Sequence, residues 1–417
     1  MLQVISSSWA LLLGMGLLMV GNGLQGTLLG VRGDIEGFSA LQMSLVMSAY
    51  FIGFLGGSRM APEMIRRVGH VRVFAALASF ISAVLVLYAA WANPYAWMLM
   101  RVVIGFCFSG VYVTAESWLN NAADNENRGK ALSVYMIVQM VGIVAAQALL
   151  LTADPSGYVL FVIISVLVSI SFAPILLSIS PTPAFESTKP KSLREIMEIS
   201  PLGCVGMFLL GGVFSAQFGM SAVYGTAAGL TLSQISLFVS SFYIGATLIQ
   251  YPLGWVSDRM DRRLLIMIVA LLGGLGALVG MASGGDFTIL LIAAFIIGGT
   301  SNPLYSLLLA YTNDFIELED MAAVSGGLVF INGLGAISGP MVTAWLMGAV
   351  GPHGYFLFLA ALLVATALYA GYRMTQRATV ETEETSNYAP ISMSSTVMAV
   401  EYALETGAED YEHDEAS

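Results

Sequence analysis

Apolar stretches alternate with short polar runs along the whole chain, and twelve of them are long enough to cross a bilayer as helix, which takes about 20 residues. They run roughly over 9–31, 40–61, 71–92, 95–118, 130–152 and 157–180, then over 202–224, 234–257, 263–283, 286–311, 323–349 and 353–374. The pattern predicts an all-α integral membrane protein with twelve transmembrane helices. The twelve are two sets of six. Sliding the chain along itself by 192 residues sets Gly14 on Gly206, Gln25 on Gln217, Gly33 on Gly225 and Ser44-Leu45 on Ser236-Leu237. The same shift sets Gly53 on Gly245, Arg67 on Arg259 and Ser133 on Ser325, with no gap. An even helix number per copy gives both copies the same orientation, with a pseudo-twofold axis along the membrane normal. Parallel repeats of this kind build alternating-access transporters, in which two bundles rock about a central site. The expected domains are an N-terminal six-helix bundle over 1–180, a linker over 181–201, a C-terminal bundle over 202–375 and a tail over 376–417.

Composition sharpens this picture. Hydrophobic residues make up 57% of the chain and charged residues 10%, against about 25% charged in soluble domains. A soluble core is excluded. The stretch from Leu11 to Val31 is too long for a signal-peptide core and lacks a basic leader, so it counts as the first span. The net charge of −11 belongs to one region: residues 378–417 hold ten Asp or Glu and no Lys or Arg. Poor in large apolar residues, that tail reads as a disordered, solvated spacer. Its acidity argues against nucleic acid as a partner. Two cysteines inside apolar stretches and three scattered histidines (His70, His353, His413) suggest no disulfide framework, metal site or cofactor.

Basic residues set the orientation. With a cytoplasmic N-terminus, the inner loops carry Arg59, Arg66, Arg67, Arg72, Arg128, Lys130, Lys189, Lys191, Arg194, Arg259, Arg262, Arg263, Arg373 and Arg377, which is 14 of 16. Both termini and the linker are then expected in the cytoplasm. Pro181, Pro183 and Pro190 predict extended chain. Ser192 to Ile199 predicts a short interfacial helix with Leu193, Ile196 and Met197 on one face.

Between spans eight and nine stands Gly254-Trp-Val-Ser-Asp258-Arg259-Met-Asp-Arg262-Arg263. With the helix count and the repeat, it resembles the signature of the major facilitator superfamily, Gly-x-x-x-Asp-Arg-x-x-Arg-Arg. Tyr112-Val-Thr-Ala-Glu116-Ser-Trp-Leu-Asn120 with Arg128-Gly129, Val-Met-Ser-Ala-Tyr50-Phe-Ile-Gly-Phe, and Ile65-Arg-Arg-Val-Gly-His70 resemble the YcaD-like branch of that family. The resemblance implies an inner gate. Asp258 would face the positive N-terminal end of a helix in the other bundle, Gly254 would permit a tight helix end, and Arg259, Arg262 and Arg263 would pair with nearby carboxylates. In the first-half copy, Arg66 stands where the second half has Asp258, beside Arg67 and Arg72. Glu116 has three readings: an ion bridge to Arg66, Arg67 or Arg128, a carrier of a coupling proton, or a solvated carboxylate at a helix end.

Arg101 is the only basic residue placed well inside a span. Arg101-Val-Val-Ile-Gly105 resembles the family's fourth-helix motif. A guanidinium in hydrocarbon is expensive, so it faces a cavity or bonds to buried backbone or, alternatively, snorkels to the outer headgroups. The resemblance implies a cavity lined by spans one, four, seven and ten. Candidate substrate-binding residues are Asn22, Gln25, Arg101, Tyr112, Gln139, Gln217, Tyr243, Asn302, Tyr305 and Asn332; interhelical bonding is the rival role for each amide. No nucleophile–base pair suggests an enzyme. The expectation is a secondary transporter of a small organic solute in a bacterial inner membrane, a functional monomer coupled to a proton or ion. A membrane sensor or scaffold acting through the acidic tail is the alternative.

Overall fold

The computed structural model describes residues 2–122, 128–177, 192–316 and 318–376, together with Tyr388, Ile391, Thr396 and Met398; the side chains of 2–7, 120–122, 128–129, 318–319 and 322 lie outside that description. Among the described residues, twelve helices are long and apolar enough to cross a membrane. They are Ser8–Ile35, Ala40–Val68, His70–Ala90, Pro94–Leu119, Lys130–Thr152, Val159–Leu177, Pro201–Ala227, Leu232–Ser257, Arg262–Met281, Phe287–Asn313, Ala323–Val350 and Gly354–Met374, numbered here as spans one to twelve. Span two continues through Pro62 to Val68, past the end expected near residue 61, so Arg66 and Arg67 stand on a helix rather than in a loop.

Polar caps start several of these helices, and two of the caps repeat. Ser39 accepts the Gln42 amide N–H at 3.2 Å and the Gln42 side chain takes the Ser39 N–H at 2.9 Å. Thr231 and Gln234, which lie 192 positions later, make the same pair of bonds at 3.4 and 2.9 Å. Such a box satisfies two donors that a helix start leaves unpaired. In the linker, Ser192 and Glu195 form a third box that opens the helix Leu193–Ile199. There Ile196 is buried against Gly327, while Leu193 and Met197 are exposed.

Glycines carry the repeat into the packing. A Cβ on Gly53 or Gly105 would overlap the carbonyl oxygen of Val102 or Tyr50, so spans two and four touch backbone to backbone. In the second half, Gly245 and Gly298 press in the same way on the Phe295 and Phe242 carbonyls, and Tyr50 and Phe242 are repeat mates. Close approach through small residues is how helices associate where no hydrophobic effect drives them together. We predict that Gly105→Val and Gly298→Val each destabilise the fold by about 1–3 kcal/mol or more, the cost of overpacking. Gly348→Ala is the control, because nothing lies within 4 Å of that site. Thermal unfolding in detergent reads the difference; equal melting temperatures for all three variants would reject this account.

The chain divides into two compact units. One is Met1–Ser187 with Ser215–Ser240 and Ile337–Tyr355; the other is Thr188–Phe214, Ser241–Ala336 and Phe356–Ser417. Later parts of spans seven and eleven and the start of span eight group with the first six spans. Small residues explain the grouping of span seven. A Cβ on Gly30 would lie 2.6 Å from the Ala222 Cβ, and one on Gly219 would lie 3.0 Å from the Met47 Cβ. Ser236 of span eight also donates to the Gln147 carbonyl at 2.7 Å.

Candidate functional site

The first unit holds a buried polar cluster on spans one and four. Asn22 Nδ2 donates to the Tyr112 hydroxyl at 3.0 Å, and Gln25 Nε2 donates to Asn22 Oδ1 at 3.1 Å. Asn22 and Gln25 are one helical turn apart, so they share a face of span one. The Tyr112 hydroxyl reaches Met19 Sδ at 3.3 Å. Gln25 Oε1 and Gln139 Nε2 are buried without a hydrogen-bond partner among the described residues. A folded protein satisfies nearly all such groups, so these amides are free to bind a further polar group.

Arg101 is fully buried in the same unit. Its guanidinium carbon lies 4.8 Å from the Tyr50 ring centroid and 6.0 Å from that of Phe218. Nη2 reaches Met47 Sδ at 3.3 Å, while Nε and Nη1 have no partner among the described residues. Seven residues into span four, it sits about 10 Å from the helix start. Aromatic faces offset part of the desolvation of a cation, but thioether sulfur is a poor acceptor. The site is a buried positive charge with two free donors.

Gln217 lies where span seven loosens. Ala216–Met220 forms one wide π turn, and the Gln217 carbonyl accepts from Ser221 Oγ at 2.5 Å. Such turns often mark functional positions in helices. Ser221 Oγ also lies 2.8 Å from the Tyr355 hydroxyl, and Tyr355 stacks on Tyr224. In the second unit, Asn302 and Tyr305 are buried on either side of Pro303 in span ten. Asn332 is held by the Met207 carbonyl at 3.0 Å, which is an interhelical bond. Tyr243 of span eight is half-buried.

The motif residues separate into distinct contacts. Arg262 is buried and forms a 2.5 Å ion pair with the equally buried Asp314. Its Nε also donates to Ser257 Oγ at 3.3 Å, and its Nη2 lies 3.7 Å from Asp258. Asp261 caps span nine by accepting the Arg263 N–H at 2.9 Å and binds that side chain at 3.0 Å. Arg259 lies over the Trp255 ring at 4.3 Å. Asp258 accepts the Tyr388 backbone N–H at 3.0 Å, and Gly254 lies under the Tyr388 ring.

On the first-half copy, Arg66 and Arg67 both bind Glu63, at 2.8 and 2.6 Å. The helix that continues past Pro62 places Glu63 three and four residues before them, which is the spacing for such pairs. Exposed bridges of this sort contribute little to stability. Arg72 is exposed, and the Arg128 side chain lies outside the described residues. Glu116 is buried and accepts from the Tyr135 hydroxyl at 3.3 Å, so it is no solvated helix-end carboxylate. Its neighbour Ser117 lies 3.0 Å from His70 Nε2. Tyr135 and Phe218 escaped sequence reasoning, for they sit on other spans and carry no local pattern; Tyr50 stood in a quoted motif, but nothing there pointed to Arg101. Glu63 was readable once the helix is known to continue.

A family model for the Major Facilitator Superfamily matches this chain twice, over residues 11–231 and 202–395. The chain belongs to the Major Facilitator Superfamily. The two matches follow the two halves of the repeat. The chain is 25% identical to an uncharacterized MFS-type transporter, YcaD, of Salmonella arizonae over 325 residues, which span 77% of this chain and 84% of that protein. YcaD of Escherichia fergusonii is 24% identical over 326 residues, with the same coverage of each chain. Among solved structures, a variant of the nucleoside transporter NupG superposes with a TM-score of 0.76 at 16% identity, covering 88% of this chain and 99% of that one. A bacterial homolog of the human lysosomal transporter Spinster, inward-facing and unoccupied, gives 0.67 at 14%, covering 98% of each chain. At such identities the structures establish the facilitator fold alone. Family membership makes the chain a multi-pass membrane transporter that binds a small substrate, and not an enzyme.

Proposed function

We propose that this facilitator is a secondary active transporter of a small organic solute, working by alternating access and driven by a coupled proton. The supporting observation is the buried polar set of the first unit: Asn22, Gln25 and Tyr112 bonded together, with free donors on Arg101. Amides and a phenol orient a polar solute by directed bonds. Arg101 adds a full charge, so a solute with an acidic or strongly hydrogen-bond-accepting group fits best. Gln139 and Gln217 join this proposed set in the first unit; Tyr243, Asn302 and Tyr305 are proposed solute contacts of the second unit by itself, where the Asn332 amide is engaged by the Met207 carbonyl. In this reading Gly254, Asp258 and the motif arginines gate the cytoplasmic end. The skew of basic residues supports cytoplasmic termini in a bacterial inner membrane.

Glu116 is the proposed proton carrier. It is a buried carboxylate within a span, held by a phenol rather than solvated, and intramembrane ionisable groups mark ion paths. Of its three expected bridge partners, Arg66 and Arg67 are engaged by Glu63, and the Arg128 side chain lies outside the described residues. The test uses proteoliposomes with an imposed pH gradient and a panel of radiolabelled amino acids, organic acids, sugars and nucleosides. At least one solute should accumulate, and a protonophore should abolish the accumulation. Glu116→Gln should lose accumulation and keep solute exchange. No accumulation of any solute would reject secondary transport; full accumulation by Glu116→Gln would reject the carrier.

A further inference from the structure

The tail, read from sequence as a solvated spacer, contributes residues to the second unit. Tyr388 donates its backbone N–H to Asp258 Oδ1 at 3.0 Å. Its ring covers Gly254, where an added Cβ would come 2.6 Å from the ring Cδ1. Ser306 of span ten grips the chain three residues later with two bonds. Its hydroxyl accepts the Ile391 N–H at 2.9 Å and donates to the Ile391 carbonyl at 3.1 Å. Ile391 is 3% exposed and Thr396 is fully buried. The Tyr388 hydroxyl is buried beside Ser306 and Gln250, and burial holds its phenol above the ordinary value.

These contacts are specific in kind. Both bonding residues use backbone groups of the tail, as an extended peptide does on a receptor. Buried backbone groups need partners, and Asp258 and Ser306 supply them. Gly254 and Asp258 are two of the five named positions of the motif, and one tail residue contacts both. An acidic, apolar-poor sequence has little reason to bury itself on a membrane protein unless a seat is built for it.

We propose that the C-terminal tail, through Tyr388 and Ile391, is an intramolecular ligand that plugs the motif end of the second unit. Seated, it occupies Asp258 and covers Ser306; released, it leaves both free. The tail thereby competes for the gate aspartate, and its departure is the regulated step. The competition rests on the gate role proposed above for Asp258, whereas the seating does not.

Cysteine labelling separates the two. In full-length protein carrying Cys107→Ser and Cys204→Ser, a single cysteine is placed at Ile391 or Ser417 and labelled with a maleimide in inside-out vesicles. Ile391→Cys keeps both backbone bonds to Ser306. It should label at least tenfold more slowly than Ser417→Cys. Ser306→Ala and Gly254→Val, two independent disruptions of the seat, should each raise its rate at least fivefold. Equal rates at 391 and 417, or no response to either disruption, would overturn the seating. Conversely, Gln250→Cys, beside the Tyr388 hydroxyl and away from the Ser306 and Asp258 bonds, should label at least tenfold faster once residues 378–417 are deleted, and an unchanged rate would overturn the plug. No solute enters these measurements, so failed uptake in proteoliposomes would sink the transport reading without touching this one.

Discussion

Replacing Arg101 with methionine is expected to lower solute uptake about thirtyfold or more while leaving the protein folded. The size follows from the site. Removing one partner of a buried, charge-assisted contact costs about 2–5 kcal/mol, and each 1.4 kcal/mol is about tenfold in binding. The opposing effect is structural. Arg101 stacks at 4.8 Å from the Tyr50 centroid and also faces Phe218, and a desolvated cation–π contact is worth about 2 kcal/mol. Against that stands the cost of keeping the charge in a membrane helix, about 2.5–3.5 kcal/mol on translocon scales. The two structural terms nearly cancel, so methionine, which retains the stem, should melt within a few degrees of the parent. What remains uncompensated in the resting protein is the pair of free donors, Nε and Nη1.

Arg101→Lys tests the geometry of those donors. Lysine keeps the charge but loses the planar fork, so it should restore part of the uptake, with a raised KM and a smaller change in turnover. If the methionine variant transports as well as the parent, the guanidinium serves packing alone, and the polar set of Asn22, Gln25 and Tyr112 would have to hold the solute without it. The snorkelling alternative is already disfavoured by burial, since no part of the side chain is exposed.

The spans and their repeat were legible in the sequence because both rest on local, cumulative signals: apolar length, and coincidences such as Gly53 with Gly245. Their meaning was less legible. Gly53 and Gly245 looked like a mark of homology, yet each is the point where span two or span eight meets a carbonyl of a helix far along the chain. Sequence spacing placed Glu116 near a water interface, but its surroundings depend on Tyr135, nineteen positions on and held on another helix. Likewise, Arg66 and Arg67 seemed free for a distant partner until Pro62 proved to lie inside a continuing helix with Glu63 in register. Average charge composition does not foretell the local contacts of Tyr388 and Ile391, which rest on backbone bonds to Asp258 and Ser306.

Asp314→Asn is expected to destabilise the second unit by about 3–5 kcal/mol, the cost of leaving a buried ion without its partner. The Arg262 and Asp314 side chains are 2% and 3% exposed and meet at 2.5 Å, so water cannot readily replace either group. Asp258 is the contrast. It lies 3.7 Å from the same guanidinium, but its side chain is 38% exposed, so Asp258→Asn should cost little stability, since solvent screens the exposed member of a pair. The motif then separates into a structural half and a switching half. Arg262 fastens the start of span nine to the end of span ten through Asp314, and Asp258 stays available for exchangeable partners. Arg262→Met should fall as far as Asp314→Asn, while the double variant Arg262→Met with Asp314→Leu should regain most of the loss, because an apolar pair of similar volume avoids the desolvation altogether. Denaturant titration in mixed micelles gives all four stabilities. Equal losses for Asp258→Asn and Asp314→Asn would dissolve the division, and a double variant as unstable as either single one would mean that Arg262 is held there chiefly by Ser257 and the Ala310 carbonyl rather than by its counter-charge.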